Sequence, residues 1–130
     1  MILVDTSVWI DHLNRGNESL AGLLEDQCVW MHPFVLGEIA CGNLRRRRPI
    51  LADLSRLPAA PHARDNEVLE MIESRGLAGR GIGYIDCHLV ASALVAAGTR
   101  LWTLDQRLAG VAKEFGIGHS GHSRFAHPGS

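Results

Sequence analysis

The sequence predicts an α/β protein, a three-layer α/β/α domain around a central parallel sheet. Three observations carry that prediction. Short apolar runs alternate with longer segments of helical apolar spacing along the whole chain. Two of the short runs, "ILV" and "RLWTLD", lead into an aspartate, the punctuation of a strand followed by a helix. No internal repeat or low-complexity linker interrupts the 130 residues, a length that suits one domain burying about two-thirds of its unfolded surface.

Ile2, Leu3 and Val4 suit a strand covered on both faces, because β-branched and leucyl side chains fill a sheet enclosed by helices. Asp5 ends that run, and its position alone reads as readily as a helix cap as it does as a functional acid. Val8, Trp9, Ile10 and Leu13 give the next helix, which fades at "NRGNES", where Asn17 or Ser19 can cap a second helix through "LAGLLED". "CVWMH" is expected as a second buried strand. Pro33 sits where a helix can start, and "FVLGEIACGNL" continues it with Phe34, Ile39 and Ala40 on one side until Gly42 and Asn43 weaken it. Glu38 lies within that apolar helix.

Leu51, Leu54 and Leu57 predict a further short helix, and "AAPHA" an edge strand interrupted by Pro61. In "RDNEVLEMIESRG", Val68, Leu69 and Ile72 are expected to face inward, with Glu67, Glu70 and Glu73 solvated on the other side. "LAGRGIGYID" is rich in glycine but lacks the Lys-Ser/Thr ending of a P-loop, and no clear strand precedes it. "DCHLVASALVAAG" reads as an apolar helix ending at Gly98, with Asp86 in or before its first turn. "RLWTLD" is a strand ending at Asp105, and "QRLAGVAKEFG" a last amphipathic helix ending at Gly116. Residues 1–117 are expected to form the domain and 118–130 a flexible polar tail.

Hydrophobic residues make up 46% of the chain and charged ones 21%, the balance of an ordinary folded domain. No apolar run approaches the roughly 20 residues that span a bilayer. The N-terminal run has neither a basic flank nor a cleavage site, so no signal peptide is expected and the cytoplasm is the expected location. Cys28, Cys41 and Cys87 are odd in number and widely spaced, which suits reduced core thiols better than bridges or a zinc site. With a net charge of −1, attraction to a polyanion needs a local patch. Arg45, Arg46, Arg47 and Arg48 in "NLRRRRP" supply one, and they either grip phosphates or satisfy a helix C-terminus and solvate a turn.

In a parallel sheet, ligands bind beyond the carboxyl ends of the strands. Asp5 and Asp105 end strands in this reading, Asp86 begins a helix that points to the same rim, and Glu38 emerges from a helix that follows a strand. Converging carboxylates repel and raise each other's pKa, so the cluster needs a cation or an arginine. Mg²⁺ or Mn²⁺, which take oxygen ligands and keep several waters, are the natural partners. Such a site hydrolyses phosphodiesters through a metal-activated water and needs no nucleophilic side chain. Thr6, Ser7 and Thr103 add hydroxyls beside the acids, each equally readable as a cap or strand hydroxyl. The histidines, His12, His32, His62, His88, His119, His122 and His127, offer a competing zinc site, but the tail gives no packed setting for one. His88 points about 200° round the helix from Asp86, a poor co-ligand geometry.

Taken together, "MILVDTSVWID", the glutamate in "FVLGEIACG", the "GIGYIDCHLVASAL" helix and "LWTLDQRL" resemble the PIN domain, specifically the VapC ribonuclease toxins of bacterial type II toxin–antitoxin pairs. The match runs in order from residue 1 to about 116 and rests on the ordered acids in their local contexts. It implies a compact PIN-like α/β/α domain and Mg²⁺- or Mn²⁺-dependent endonuclease cleavage of RNA. Asp5, Glu38, Asp86 and Asp105 match the four acidic positions, with Asp5 and Asp86 as direct metal ligands, and Ser7 and Thr103 match nearby hydroxyl positions. The resemblance also implies homodimers that line up two sites along one groove, and a cognate VapB-type antitoxin whose C-terminal segment plugs the site with an arginine. Residues after Gly118 match no family element.

The expected activity is therefore that of a toxin endoribonuclease leaving 5′ phosphate and 3′ hydroxyl ends. Two other classes stand beside it. One is a non-catalytic RNA- or protein-binding module of the same fold, using Arg45 to Arg48 while the acids cap helices. The other is a metal-dependent phosphatase or receiver domain, against which "DTS" lacks the second aspartate of a DxD motif and no acid pair precedes Asp5.

Overall fold

The computed structural model describes residues 1–120. Three parallel strands, β1 (Ile2–Val4), β2 (Val29–Trp30) and β3 (Arg100–Trp102), form one sheet in the order β2-β1-β3. Ile2 and Leu3 pair with Val29 and Trp30 on one side, and Ile2, Leu3 and Val4 with Arg100, Leu101 and Trp102 on the other. The strand that begins the chain is thus the central one, and Leu3 and Val4 are fully buried. Because all three strands run the same way, their carboxyl ends deliver Asp5 and Thr103 to one edge.

Seven helices surround the sheet among the described residues: α1 (Thr6–Arg15), α2 (Glu18–Glu25), α3 (Pro33–Cys41), α4 (Arg47–Ser55), α5 (Asp65–Ser74), α6 (Tyr84–Val95) and α7 (Gln106–Glu114). α1 packs on α3 and α3 on α4; α5 packs on α6, and α6 and α7 lie against β3. The arrangement is the expected three-layer α/β/α. α6 buries every residue from Cys87 to Ala93, as suits a helix that is apolar all round. Asn17 caps α2 by accepting the Leu20 N–H at 3.0 Å, and His32 Nδ1 caps α3 by accepting the Phe34 N–H at 3.0 Å.

Several elements differ from their sequence-predicted form. β2 is limited to Val29–Trp30, and "AAPHA" contributes only an isolated parallel bridge between Met31 and Ala59. Pro61 has no N–H with which to extend that ladder. β3 stops at Trp102, so Asp105 does not end a strand; it is the N-cap of α7. α6 ends at Val95, short of Gly98, where Ala96 turns extended. On α3 the buried face is Val35 and Ile39, while Phe34 and Ala40 are half-buried. Leu69 is 56% exposed, because Val68 is the residue α5 buries and the next position lies about 100° further round the helix. Of the cysteines, Cys87 is buried, Cys28 half-buried and Cys41, the last residue of α3, exposed, so they are not three core thiols.

The chain beyond α7 returns to the sheet. Leu101 N–H donates to the Ile117 carbonyl at 2.7 Å and His119 N–H to the Leu101 carbonyl at 3.0 Å, so Gly118 and His119, placed in the tail by the sequence, run beside β3. The rest of the expected tail from residue 121, with His122 and His127, lies outside the described residues. No helix among the described residues is long and apolar enough to cross a membrane.

Candidate active site

Asp5 follows the central strand in an extended conformation and occupies the N-cap position of α1, yet its side chain accepts no hydrogen bond from a first-turn backbone N–H. Its Oδ2 instead accepts from Ser7 Oγ at 2.8 Å and from Thr103 Oγ1 at 2.7 Å. At 7% exposure the carboxylate needs such donors, since a buried charge without hydrogen bonds is costly. The two hydroxyls also accept from the loop after β3: Leu104 N–H donates to Ser7 Oγ and Asp105 N–H to Thr103 Oγ1, both at 3.0 Å. One carboxylate, two hydroxyls and two amides therefore lock the end of β3 onto the start of α1.

The other acids are held differently. Glu38, exposed on α3, accepts from Thr6 Oγ1 through Oε1 at 2.6 Å. Asp86, in the first turn of α6, accepts the Gly83 N–H through Oδ2 at 2.9 Å. Asp105 does what the sequence allowed for Asp5: its Oδ1 accepts the N–H groups of Arg107 and Leu108 at 2.9 and 3.0 Å, capping α7. Each of the four carboxylates is thus anchored through one oxygen, and the second oxygen takes no hydrogen bond among the described residues.

The charges of the other three acids all act on Asp86. The Asp86 carboxyl is pushed above its ordinary value, chiefly by burial and then by the charges of Asp5, Asp105 and Glu38, against the lowering effect of the Gly83 N–H. None of the ion pairs among the described residues neutralises any of these acids. As placed, no group of three His, Cys, Asp or Glu side chains among them is arranged to hold an ion unaided. The donor set nevertheless fits Mg²⁺ or Mn²⁺, hard ions that rest on one or two carboxylates and keep their waters, and it lacks the nitrogen or sulfur ligands that zinc prefers.

The remaining sequence candidates lie elsewhere. The Arg47 guanidinium donates to the carbonyls of Ala40 and of Gly42, the latter at 3.2 Å, so it satisfies the C-terminus of α3. Arg45, Arg46 and Arg48 are exposed. His88 is fully buried with Nε2 3.1 Å from Asp65 Oδ1, and His12 Nδ1 accepts the Asn17 N–H at 3.0 Å. His32, also fully buried, is held down to a pKa of about 4, first by burial and then by the charges of His62 and His88. The sequence reading passed over Tyr84, whose hydroxyl donates to Asp65 at 3.0 Å. A signal for it was present, since Tyr84 and His88 are four residues apart on one helix face.

A family model described as PIN domain matches residues 2–114 of this chain. Two relatives, each called Ribonuclease VapC32, come from Mycobacterium tuberculosis strains CDC 1551 / Oshkosh and ATCC 25618 / H37Rv. Each is 42% identical over 117 residues, covering 90% of this chain and 94% of the relative.

Proposed function

We propose a function from the premise that this chain belongs to the PIN-domain family. It is a metal-dependent endoribonuclease and the toxin of a toxin–antitoxin pair. What supports this reading is that four carboxylates are each anchored through one oxygen, and that the Asp86 carboxyl is raised first by burial and then by the charges of the other three. The similarity to proteins named as ribonucleases supports the substrate class.

Asp5 and Asp86 are the residues that would hold Mg²⁺ or Mn²⁺, with Glu38 and Asp105 completing its surroundings. A divalent ion bound there supplies a Lewis acid that neutralises charge on the phosphoryl oxygens and eases deprotonation of water. Ser7 and Thr103 fix the Asp5 carboxylate through Oδ2, so it would be held ready for the ion. Thr6 fixes Glu38 through Oε1, so Oε2 orients the attacking water and takes up its proton. Asp105 is set by its own helix, whose first-turn N–H groups orient the carboxylate without a countercharge. In-line attack then leaves a 5′ phosphate and a 3′ hydroxyl.

The same reading includes a cytoplasmic location, a VapB-type antitoxin that covers the acids, and a homodimer. Leu69 and Val95, exposed on the packed pair α5 and α6, give apolar surface to such self-association.

The test is cleavage of total bacterial RNA by antitoxin-free protein, wild type beside Asp5→Asn, in Mn²⁺ or EDTA with fragment ends mapped. Discrete cuts bearing 5′ phosphates, lost in the variant and in EDTA, are expected. Cuts that persist in EDTA, or 2′,3′-cyclic phosphate ends, would overturn the mechanism, because cyclic ends mean attack by the ribose hydroxyl. Absence of cleavage by folded wild-type protein would favour the binding-module reading.

A further inference from the structure

An open groove of about 660 Å³ runs along α3 from Pro33 to Cys41 and meets the first turn of α6. Pro33, Phe34, Gly37, Tyr84 and Ile85 give it apolar walls, and Glu38 stands in it as well. Glu38 is therefore both a wall of this groove and one of the four acids, and Ile85 directly precedes Asp86. The groove thus lies directly beside the acids, within reach of a nucleotide that neighbours a phosphate held there.

The walls are prepared for a flat ring. Tyr84 is 44% exposed, and its side chain is held from behind: the hydroxyl donates to Asp65 at 3.0 Å, and the ring meets His88 edge-on at 4.7 Å and 87°. His88, itself fully buried, sits 3.1 Å from the same Asp65 oxygen. This explains why an imidazole one turn into α6 is joined to an otherwise exposed carboxylate at the start of α5, a pairing for which the cleavage mechanism has no use. A ring fixed in this way loses little entropy when another ring stacks on it. Among the described residues no lysine or arginine lines the groove to take a phosphate, so its walls offer apolar and aromatic surface. Gly37 leaves the α3 side open, since a Cβ there would meet nothing within 4 Å.

We propose that this groove is a nucleobase subsite, in which Tyr84 stacks on an unpaired base flanking the phosphodiester at the acids. The inference rests on the ribonuclease reading and deepens it. Stacking on aromatic side chains is how single-stranded RNA is gripped base by base. Tyr84 is then a specificity-determining contact, and Asp65 and His88 are positioning residues that act through it.

The experiment titrates fluorescently labelled single-stranded RNA in Ca²⁺, with an abasic site moved along the oligonucleotide, and measures cleavage of the same RNA in Mn²⁺. Wild type, Tyr84→Phe, Tyr84→Ala and Gly37→Leu are compared. One abasic position should weaken wild-type binding about tenfold, the scale of one stacked base. Tyr84→Ala should lose the same factor on intact RNA and show no further loss at that abasic position, while Tyr84→Phe, which keeps the ring but loses the Asp65 tether, should keep the abasic dependence and bind intact RNA more weakly than wild type but more tightly than Tyr84→Ala. Gly37→Leu should weaken RNA binding comparably yet melt no lower than wild type, because the leucine displaces nothing and removes a glycine from a helix.

Equal abasic losses in wild type and Tyr84→Ala, or unchanged RNA binding in Gly37→Leu, would overturn the subsite and leave the groove to a protein partner. If wild type still cleaves RNA in that case, the ribonuclease reading stands without it. If wild type neither binds nor cleaves RNA, both fall.

Discussion

Asp5 and Asp105 each occupy the position before a helix, and they do different work there. Asp105 gives Oδ1 to two first-turn N–H groups, whereas Asp5 turns its carboxylate to Ser7 and Thr103 and leaves α1 without a side-chain cap. Two predictions separate these roles. Asp105→Ala should cost about 1 kcal/mol in urea unfolding, the usual cost of a lost N-cap, and Asp105→Asn should recover most of it because Oδ1 still accepts. Asp5→Asn should leave the metal-free melting temperature at or near the wild-type value while cutting cleavage on the order of 10²-fold or more, the scale for removing one charge-stabilising group. A large melting loss for Asp5→Asn in EDTA would return it to a structural role. The identity of these acids was legible in the sequence because each closes a local motif. Which of them caps a helix was not, since that depends on where β3 stops and on Thr103 reaching Asp5 from 98 residues away.

α3, the helix that presents Glu38, is tied at both ends. His32 caps its start, with Pro33 at the first position, and Arg47 covers the carbonyls at its end. Arg47→Ala should therefore lower stability by about 1 kcal/mol, the typical net value of a lost hydrogen bond, with little change in the salt dependence of RNA binding. Arg46→Ala should do the reverse, leaving stability intact and reducing the salt slope by about 1 if its guanidinium meets a phosphate. An unchanged slope would remove Arg46 from the RNA surface. The pH behaviour of this cap follows from His32, whose folded pKa of about 4 lies below the ordinary histidine value of 6.5. The folded protein keeps the ring neutral while the unfolded chain takes a proton. The resulting stability is complete above about pH 6.5 and is lost as the pH falls towards 4. In His32→Asn, whose side-chain oxygen can still cap, urea midpoints should fall less steeply across that window. The helix itself was readable from Pro33 to Gly42. Its buried face was not, because Phe34 packs beside His32 and His88, at ring centroid distances of 5.1 and 4.7 Å, while Val35 takes the core.

At the scale of the whole molecule, placing the first strand in the middle of a parallel sheet is what gathers the site. Asp5 leaves the central strand, Thr103 leaves its neighbour β3, and the largely buried α6, packed against β3, carries Asp86 in its first turn. The alternation of strands and helices made the parallel sheet legible, but not which strand is central, which no local pattern records. The lengths of the strands were less so: β2 and β3 are short because the chain is held there by side chains and isolated bridges that sequence periodicity does not record. The cost of the arrangement falls on Asp86, whose carboxyl is raised by burial and by three neighbouring acids. A raised folded pKa means that the ionised form destabilises the fold at neutral pH, a penalty relieved as the pH falls through that value.

The direct test is to compare melting temperatures of wild type and Asp86→Asn at neutral pH, in EDTA and in excess Mn²⁺. In EDTA the variant should melt higher, because one of four repelling charges is gone. In Mn²⁺ the order should reverse, with wild type gaining about 2.7 kcal/mol at a hundredfold excess over its Kd and the variant gaining far less. A wild-type melting temperature that Mn²⁺ does not move, or one that moves equally in both proteins, would contradict the assignment of these carboxylates to a divalent ion.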